Sequence, residues 1–350
     1  MGQGFSPADA LVQRPLCSPY TPGMTIPVAD RIRGALLGLA CGDALGAPAE
    51  FKTAATVQQE YGTLRDMVGG GVWMPGEWTD DTGMALAVAE GILEAPADPV
   101  SAIGRNFLEW RRTAKDVGNT IRAALEAYAG DWAAASAGTS MARSGHAGGN
   151  GSLMRTLPVA LAYVDREQML RESARISSIT HWDAQAEVCC GLYCLWIREL
   201  LADERPAVTE QARRAELWQS AVRSAEEHVA AHGRLAPDSH GPSPLPVDFW
   251  RRVRGMAFTP LTDLQPTGYA GFVVDCLEAA VTCVVQGPSL EDVLVTLVNL
   301  GGEADTMAAV AGGAAGAHWG VQGIPARWLD VLHQRERVER VAAQLVAARR

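Results

Sequence analysis

The sequence predicts an all-α protein, and three observations predict it. Alanine and leucine dominate the 350 residues, while aromatics make up only 6%. Alternation of β-branched and polar residues, the mark of a half-buried strand, is scarce. Apolar residues recur instead at helical spacing: Leu290, Val293, Leu294 and Leu297 fall at i, i+3, i+4 and i+7. A chain of this length buries a large core, and neither an internal repeat nor a linker divides it. A single helical domain over 30–350 is the simplest organisation.

Residues 1–29 are rich in Pro, Gly and Ser and read as a flexible extension. From Asp30 the pattern turns helical through Ile32, Leu36, Leu37 and Leu39, up to a break at Gly42-Asp43-Ala44-Leu45-Gly46. Gly69-Gly70-Gly71 then leads through Trp73 and Pro75 to Thr79-Asp80-Asp81-Thr82, which opens a run from Met84 to Leu93 that is apolar on almost all sides. Such a run suits a central helix. Residues 99–135 read as surface-facing helices. A second glycine-rich loop, 145–151, precedes an apolar helix from Pro158 to Val164, and 184–201 forms another. The stretch 202–248 turns charged and then Pro-rich, as expected of an insertion or a mobile surface segment. Helices are expected again over Phe272–Val285, Leu290–Leu300 and Met307–Ala317.

Composition narrows the function. A formal net charge of −10 excludes a general nucleic-acid or anionic-membrane binder, which needs basic surface. The seven cysteines are odd in number, show no CxxC pair and lie mostly in apolar helical stretches, so free buried thiols in a reducing compartment are expected. No basic start followed by an apolar core is visible in the first thirty residues. The stretch 306–325 carries no formal charge but is mostly Gly and Ala, too weakly hydrophobic for a membrane span. A soluble cytoplasmic protein follows from these features.

The chemistry concentrates in two acidic clusters more than two hundred residues apart. Thr79 suits an N-cap, with Asp80 and Asp81 in the first turn where the helix dipole favours them. Capping alone would account for one such cluster. The helix it opens looks buried, however, and two ionised carboxylates there repel and pay desolvation unless a cation bridges them. Gly301-Gly302-Glu303-Ala304-Asp305-Thr306 repeats the logic at the start of a small-residue helix. Residues at i and i+2 point apart on a helix, so Glu303 and Asp305 share a ligand only in a turn, which the paired glycines permit. Together the clusters point to a hard cation held by oxygen, Mg²⁺ or Mn²⁺, with two ions conceivable. Gly148-Gly149-Asn150-Gly151-Ser152 is a third element, whose backbone N–H groups suit a phosphate; glycine-rich turns are common, and the signal is weak alone. His181 reads as a ligand contact or a helix-start histidine. Glu50 reads as a general base, a substrate-hydroxyl ligand or an ordinary surface glutamate.

Taken in order, these elements resemble the ADP-ribosylglycohydrolase family, which includes the dinitrogenase-reductase-activating glycohydrolases and the ADP-ribosylarginine hydrolases. The matching stretches are Arg33–Gly38 with Gly42–Phe51, Trp78–Thr82, Gly149–Arg155, Thr180-His181, Val273–Ala280 and Gly302–Thr306. The resemblance implies an all-α orthogonal multi-helix bundle with a binuclear Mg²⁺ centre at the base of an ADP-ribose cleft. By position it makes Thr79, Asp80, Asp81, Asp305 and Thr306 metal ligands, with Glu303 in the first acidic place of the second motif. It makes Glu50 the mobile acidic residue near the scissile bond, and catalysis would rest on Glu50, Asp80, Asp81 and Asp305. Asn150, Gly151, Ser152 and Leu153 would lie along the diphosphate, and His181 beside the adenosine. Two positions depart from the family: Glu303 stands where an Asp is usual, and Phe272 where many relatives carry Tyr.

The activity so implied is metal-dependent release of ADP-ribose from modified protein side chains, ADP-ribosylarginine first. It would reverse a regulatory modification or the action of an ADP-ribosyltransferase toxin, and the chain would work as a monomer. A catalytically impaired relative that binds ADP-ribose or serves a structural role is the alternative that Glu303 suggests; a hydrolase of another ADP-ribosyl linkage is the third. A terpene-synthase-like enzyme also uses helix-borne acidic clusters, but it wants an aromatic-lined cavity and has no use for the Gly-Asn-Gly loop.

Overall fold

The computed structural model describes residues 25–143, 147–204, 211–235, 245–264 and 271–349. Among them are sixteen α-helices and no strand. In order these are α1 (Val28–Gly46), α2 (Ala54–Tyr61), α3 (Asp80–Glu94), α4 (Val100–Arg111), α5 (Asn119–Ala127), α6 (Trp132–Ala142), α7 (Leu157–Ala162) and α8 (Arg166–Ser177). The second half holds α9 (Ala184–Ala202), α10 (Gln211–His232), α11 (Phe249–Gly255), α12 (Val273–Gln286), α13 (Leu290–Val298), α14 (Ala304–Trp319), α15 (Ala326–Val331) and α16 (Arg335–Ala348). The expected all-α fold is observed.

At the centre lie α1 and α14, antiparallel and in backbone contact. All sixteen residues of α14 are buried, as its uninterrupted small and apolar sequence requires. Glycines at every fourth position of α1 make the approach possible. A Cβ on Gly38 would fall 2.3 Å from the Gly312 carbonyl oxygen, and one on Gly42 only 2.0 Å from that of Ala308. At the end of α1, a Cβ on Gly46 would fall 2.4 Å from the Asp305 Cα. This seam sets the C-terminus of α1 against the N-terminus of α14 and thereby fixes where Asp305 sits.

The described part of 202–248 is not a loose surface segment. Its charged middle is α10, 22 residues long, whose Ala215, Trp218, Ala221, Val222 and Ala225 form a buried stripe among the charges. Trp218 is fully enclosed, edge-on to Trp196 of α9 at 5.5 Å, and its Nε1–H donates to the Val253 carbonyl at 3.0 Å. Arg214 is buried too and donates to the carbonyls of Val285 and Gly287. The segments 205–210 and 236–244 lie outside the described residues. So does most of the N-terminal extension, 1–24, although Ile26 is already buried and α1 starts at Val28 rather than Asp30. The six described cysteines are free and buried, as expected, and Cys17 lies outside the described residues. Among the described residues no helix is long and apolar enough to cross a membrane.

Candidate active site

The two acidic clusters meet. Thr79 caps α3 as its sequence suggested, but the first turn of that helix is organised from outside it. Asp43 of α1, wholly buried, accepts the Thr79 N–H on Oδ1 at 2.9 Å. On Oδ2 it accepts the Thr82 N–H at 2.9 Å and the Thr82 hydroxyl at 2.6 Å. One carboxylate thus satisfies donors that a helix start leaves open. Across the seam, Gly301 and Gly302 both take positive φ, 70° and 67°, and form the turn that the paired glycines predicted. That turn aims Asp305 and Thr306 at α3. The hydroxyls of Thr79, in the same cluster, and of Thr306, 225 residues away, both donate to Asp81 Oδ2, at 3.1 and 3.3 Å.

Asp81 is fully buried, and its Oδ1 has no hydrogen-bond partner. A buried carboxylate oxygen left so is costly and calls for a positive partner. Burial pushes Asp81 and Asp305 well above the usual carboxylate range, and the neighbouring carboxylates push further. Burial likewise raises Asp80 to about 7, with help from the charges of Asp116 and Asp43, and Glu50 to about 8, with help from Asp80 and Asp116. Asp43 rises only to about 6, because the Thr82 and Thr79 donors oppose its burial. Among the described residues no three His, Cys, Asp or Glu side chains gather closely enough to chelate an ion as they stand. Like charges around a common point repel, and a divalent cation reverses that balance. The donor chemistry, carboxylates plus two threonine hydroxyls with one buried oxygen unpartnered, fits a hard cation such as Mg²⁺ or Mn²⁺.

Above this cluster opens a cleft of about 320 Å³, lined by Glu50, Asp80, Asn150, His181, Glu303 and Thr306 among others. Its far wall is the Gly-Asn-Gly loop, which runs beside residues 271–273. The Asn150 N–H donates to the Gly271 carbonyl at 2.7 Å, and the Val273 N–H to that of Gly148 at 3.0 Å. His181 lies under this loop, close enough that a Cβ on Gly151 would fall 3.0 Å from its ring. The Arg155 guanidinium donates to Thr180 Oγ1 at 2.7 Å, and that hydroxyl lies 2.7 Å from His181 Nδ1. Burial, with Arg155 and Arg143 nearby, lowers the His181 pKa to about 3, so the ring is neutral.

Residues 24–350 match the family described as ADP-ribosylglycohydrolase. The chain belongs to the ADP-ribosylglycohydrolase family. It is 30% identical, over 93% of its length and 82% of the relative's, to ADP-ribosylarginine hydrolase Tri1 of Serratia proteamaculans. It is 32% identical to the ADP-ribosyl-[dinitrogen reductase] glycohydrolase of Rhodospirillum rubrum, over 92% and 96% of the two chains. A solved ADP-ribosylglycohydrolase-related protein complex superposes with a TM-score of 0.69 at 32% identity, covering 92% of this chain and 98% of that one.

In this member of the family the suggested site residues fall in distinct places. Glu50, Asp80, Asn150, Gly151, His181, Glu303 and Thr306 line the cleft, whereas Thr79, Asp81 and Asp305 lie buried beneath it. Ser152 and Leu153 are enclosed under the loop, 1% and 0% exposed, with the Cys190 thiol on Ser152 Oγ; they have only backbone groups to offer a ligand. Glu303 turns to the Gly-Asn-Gly loop, its Oε2 accepting from Asn150 Nδ2 at 3.1 Å. Two further acids join the site. Asp43 lies inside α1, which runs on through Gly42–Gly46 where the sequence predicted a break; Asp116, which lines the cleft from the α4–α5 loop, had no signal. Phe51, beside Glu50, has φ of 58° and is 71% exposed at the cleft. Its N–H is held by the Gly302 carbonyl at 2.7 Å, which ties the Glu50 segment to the second acidic cluster.

Proposed function

We propose that the protein is a divalent-cation-dependent hydrolase that releases ADP-ribose from modified protein side chains, arginine foremost, and so reverses mono-ADP-ribosylation. The observation that carries this reading is the unpartnered Oδ1 of Asp81, buried behind Asp80 and Thr306 at the base of the cleft. The names of the two relatives, hydrolases of ADP-ribosylarginine and of ADP-ribosyl-[dinitrogen reductase], support the substrate class. Thr79, Asp80, Asp81, Asp305 and Thr306 would hold one or two Mg²⁺ or Mn²⁺ ions, with Glu303 offering Oε1. When bound, such an ion orients ribose hydroxyls and lowers the pKa of a coordinated water.

The chain's own groups supply the rest. The backbone N–H groups of Gly149 and Gly151 and the neutral His181 ring face the diphosphate side of the ligand, which fixes the ribose over the acidic floor. In the hydrolysis an attacking water's oxygen would bond to the anomeric carbon as the bond from that carbon to the guanidine nitrogen breaks. One proton leaves the water and one is needed on the departing nitrogen. Glu50, at the cleft and able to exist in both protonation states, relays it. The modification undone would be regulatory or set by an ADP-ribosyltransferase toxin.

Release of ADP-ribose from arginine-ADP-ribosylated protein, with Mg²⁺ and with EDTA, tests the reading alongside Asp81→Ala. Release that needs Mg²⁺ and disappears in the variant is expected. A second reading, binding without turnover, draws on the Asn150–Glu303 bond. Tight ADP-ribose binding with no release in Mg²⁺ would establish it instead.

A further inference from the structure

A second cavity, of about 460 Å³, adjoins the cleft and shares only Asp80 and Asp116 with it. Its walls carry Trp73, Trp78 and Trp110, three of the chain's ten tryptophans, all half-buried. Two of them close directly on α3, one turn beyond Asp80. A Cβ on Gly83 would fall 2.5 Å from Trp110 Nε1 and in ordinary contact, 3.4 Å, with the Trp78 ring, so glycine here lets the Trp110 indole close on the helix. Trp78 is fixed in place by its Nε1–H, which donates to the His333 carbonyl at 2.9 Å.

The chemistry of these walls suits a cation, and the protein's own side chains illustrate it. Lys115 Nζ sits 5.3 Å over the Trp73 ring and 2.7 Å from Glu77, and Arg337 holds both oxygens of Glu90 at 3.0 and 3.1 Å. Asp80 and Asp116, at the boundary with the cleft, have no basic partner among the described residues. Gln334, on the opposite wall, takes a φ of 50°. It and Phe51 are the only non-glycine residues of positive φ among those described, and each lines one of the two cavities. Backbone held in that region is strained and concentrates where ligands are gripped.

We propose that this cavity is the acceptor side of the site: it receives the guanidinium of the ADP-ribosylated arginine between Trp78, Trp110 and the boundary carboxylates Asp80 and Asp116. The inference rests on the hydrolase reading above and names its acceptor. A guanidinium is planar and cationic, stacks on indole faces and pairs with carboxylates, and the cavity presents both; its own cations, Lys115 and Arg337, are already paired with Glu77 and Glu90. An ADP-ribose seated in the cleft places its scissile carbon by Asp80, and the acceptor then extends through the shared boundary. Val72 and Met74, which flank Trp73 in the chain and are 66% and 68% exposed, offer the carrier polypeptide an apolar contact.

The test compares wild type, Trp110→Ala and Trp110→Phe, each checked for an unchanged melting profile. Two quantities are read: KM for ADP-ribosylarginine in Mg²⁺ and the dissociation constant of free ADP-ribose. Trp110→Ala is expected to raise KM roughly tenfold, the size of a partly desolvated cation–π contact, while Trp110→Phe restores most of it and ADP-ribose affinity stays within about twofold. An unchanged KM, or parallel weakening of ADP-ribose, overturns the assignment. Agmatine, a free guanidinium probe, is titrated into ADP-ribose-saturated protein as a readout independent of turnover. Binding abolished by Trp110→Ala supports the pocket even if wild type hydrolyses no arginine linkage, an outcome that would defeat the hydrolase reading alone. No agmatine binding to wild type defeats the pocket.

Discussion

Replacing Gly42 by alanine adds one methyl group and should inactivate the enzyme. The new Cβ would lie 2.0 Å from the Ala308 carbonyl oxygen and 2.4 Å from the Ala308 carbonyl carbon, backbone atoms with no flexible end to swing away. Ordinary contact begins at 3.4 Å, so α1 and α14 have to part by about 1.4 Å at this point. Overpacking of this kind costs about 1–3 kcal/mol, with more expected where both partners are backbone. The displacement falls three residues from Asp305 and next to Asp43, the two residues that set the acidic clusters against each other. A misplacement of about 1 Å at reacting groups lowers rates roughly a hundredfold. Urea unfolding and ADP-ribose release measured on the same preparation read both effects. Gly138→Ala is the control: this exposed glycine in α6 has nothing within 4 Å of the added Cβ, and the change should stabilise by about 0.5–1 kcal/mol. A Gly42→Ala protein with wild-type stability and turnover would refute the idea that the glycine seam positions the site.

Asp43→Ala removes the acceptor of three hydrogen bonds and strands the Thr79 and Thr82 N–H groups; a loss of about 2–5 kcal/mol in urea unfolding is expected, with turnover lost as α3 shifts. In EDTA the carboxyls of Asp43, Asp80 and Glu50, raised to about 6, 7 and 8, favour the folded state only while protonated. Their contribution is therefore full below the ordinary carboxylate pKa and lost as pH rises through 6 to 8. The melting temperature in EDTA should fall over pH 5–8, and Mg²⁺ should restore it most at the upper end; coincident profiles with and without Mg²⁺ would count against a cation at this cluster. Trp218→Ala empties a fully enclosed position in α10 and should cost about 3–5 kcal/mol, which an autonomous surface insertion would not.

Much of the site was legible because its pieces are local. Thr79 as a cap, Asp80 and Asp81 in a first turn, and a glycine pair shaping the approach to Asp305 each follow from helix-end chemistry within a few residues. Reading the middle of 202–248 as a surface segment had a local cause too. Charged residues are interleaved with the buried stripe of α10, and composition reports exposure where only the angular position of Ala215, Trp218, Val222 and Ala225 reports burial.

By itself the sequence determined that the chain is helical, that its acids stand at the starts of buried helices, and that such acids need a cation or protons. Only the tertiary structure decided which oxygen is left without a partner, that Asp43 rather than the cap alone organises α3, and that Glu303 reaches to Asn150. It also brought Asp116 to the boundary of two cavities. The physical reason is range. Capping and periodicity act over one or two turns, whereas the meeting of Asp81 with Thr306 depends on two helices far apart in the chain coming into backbone contact. That contact is set by the absence of side chains along one face of α1, which has meaning only once the facing helix is in place.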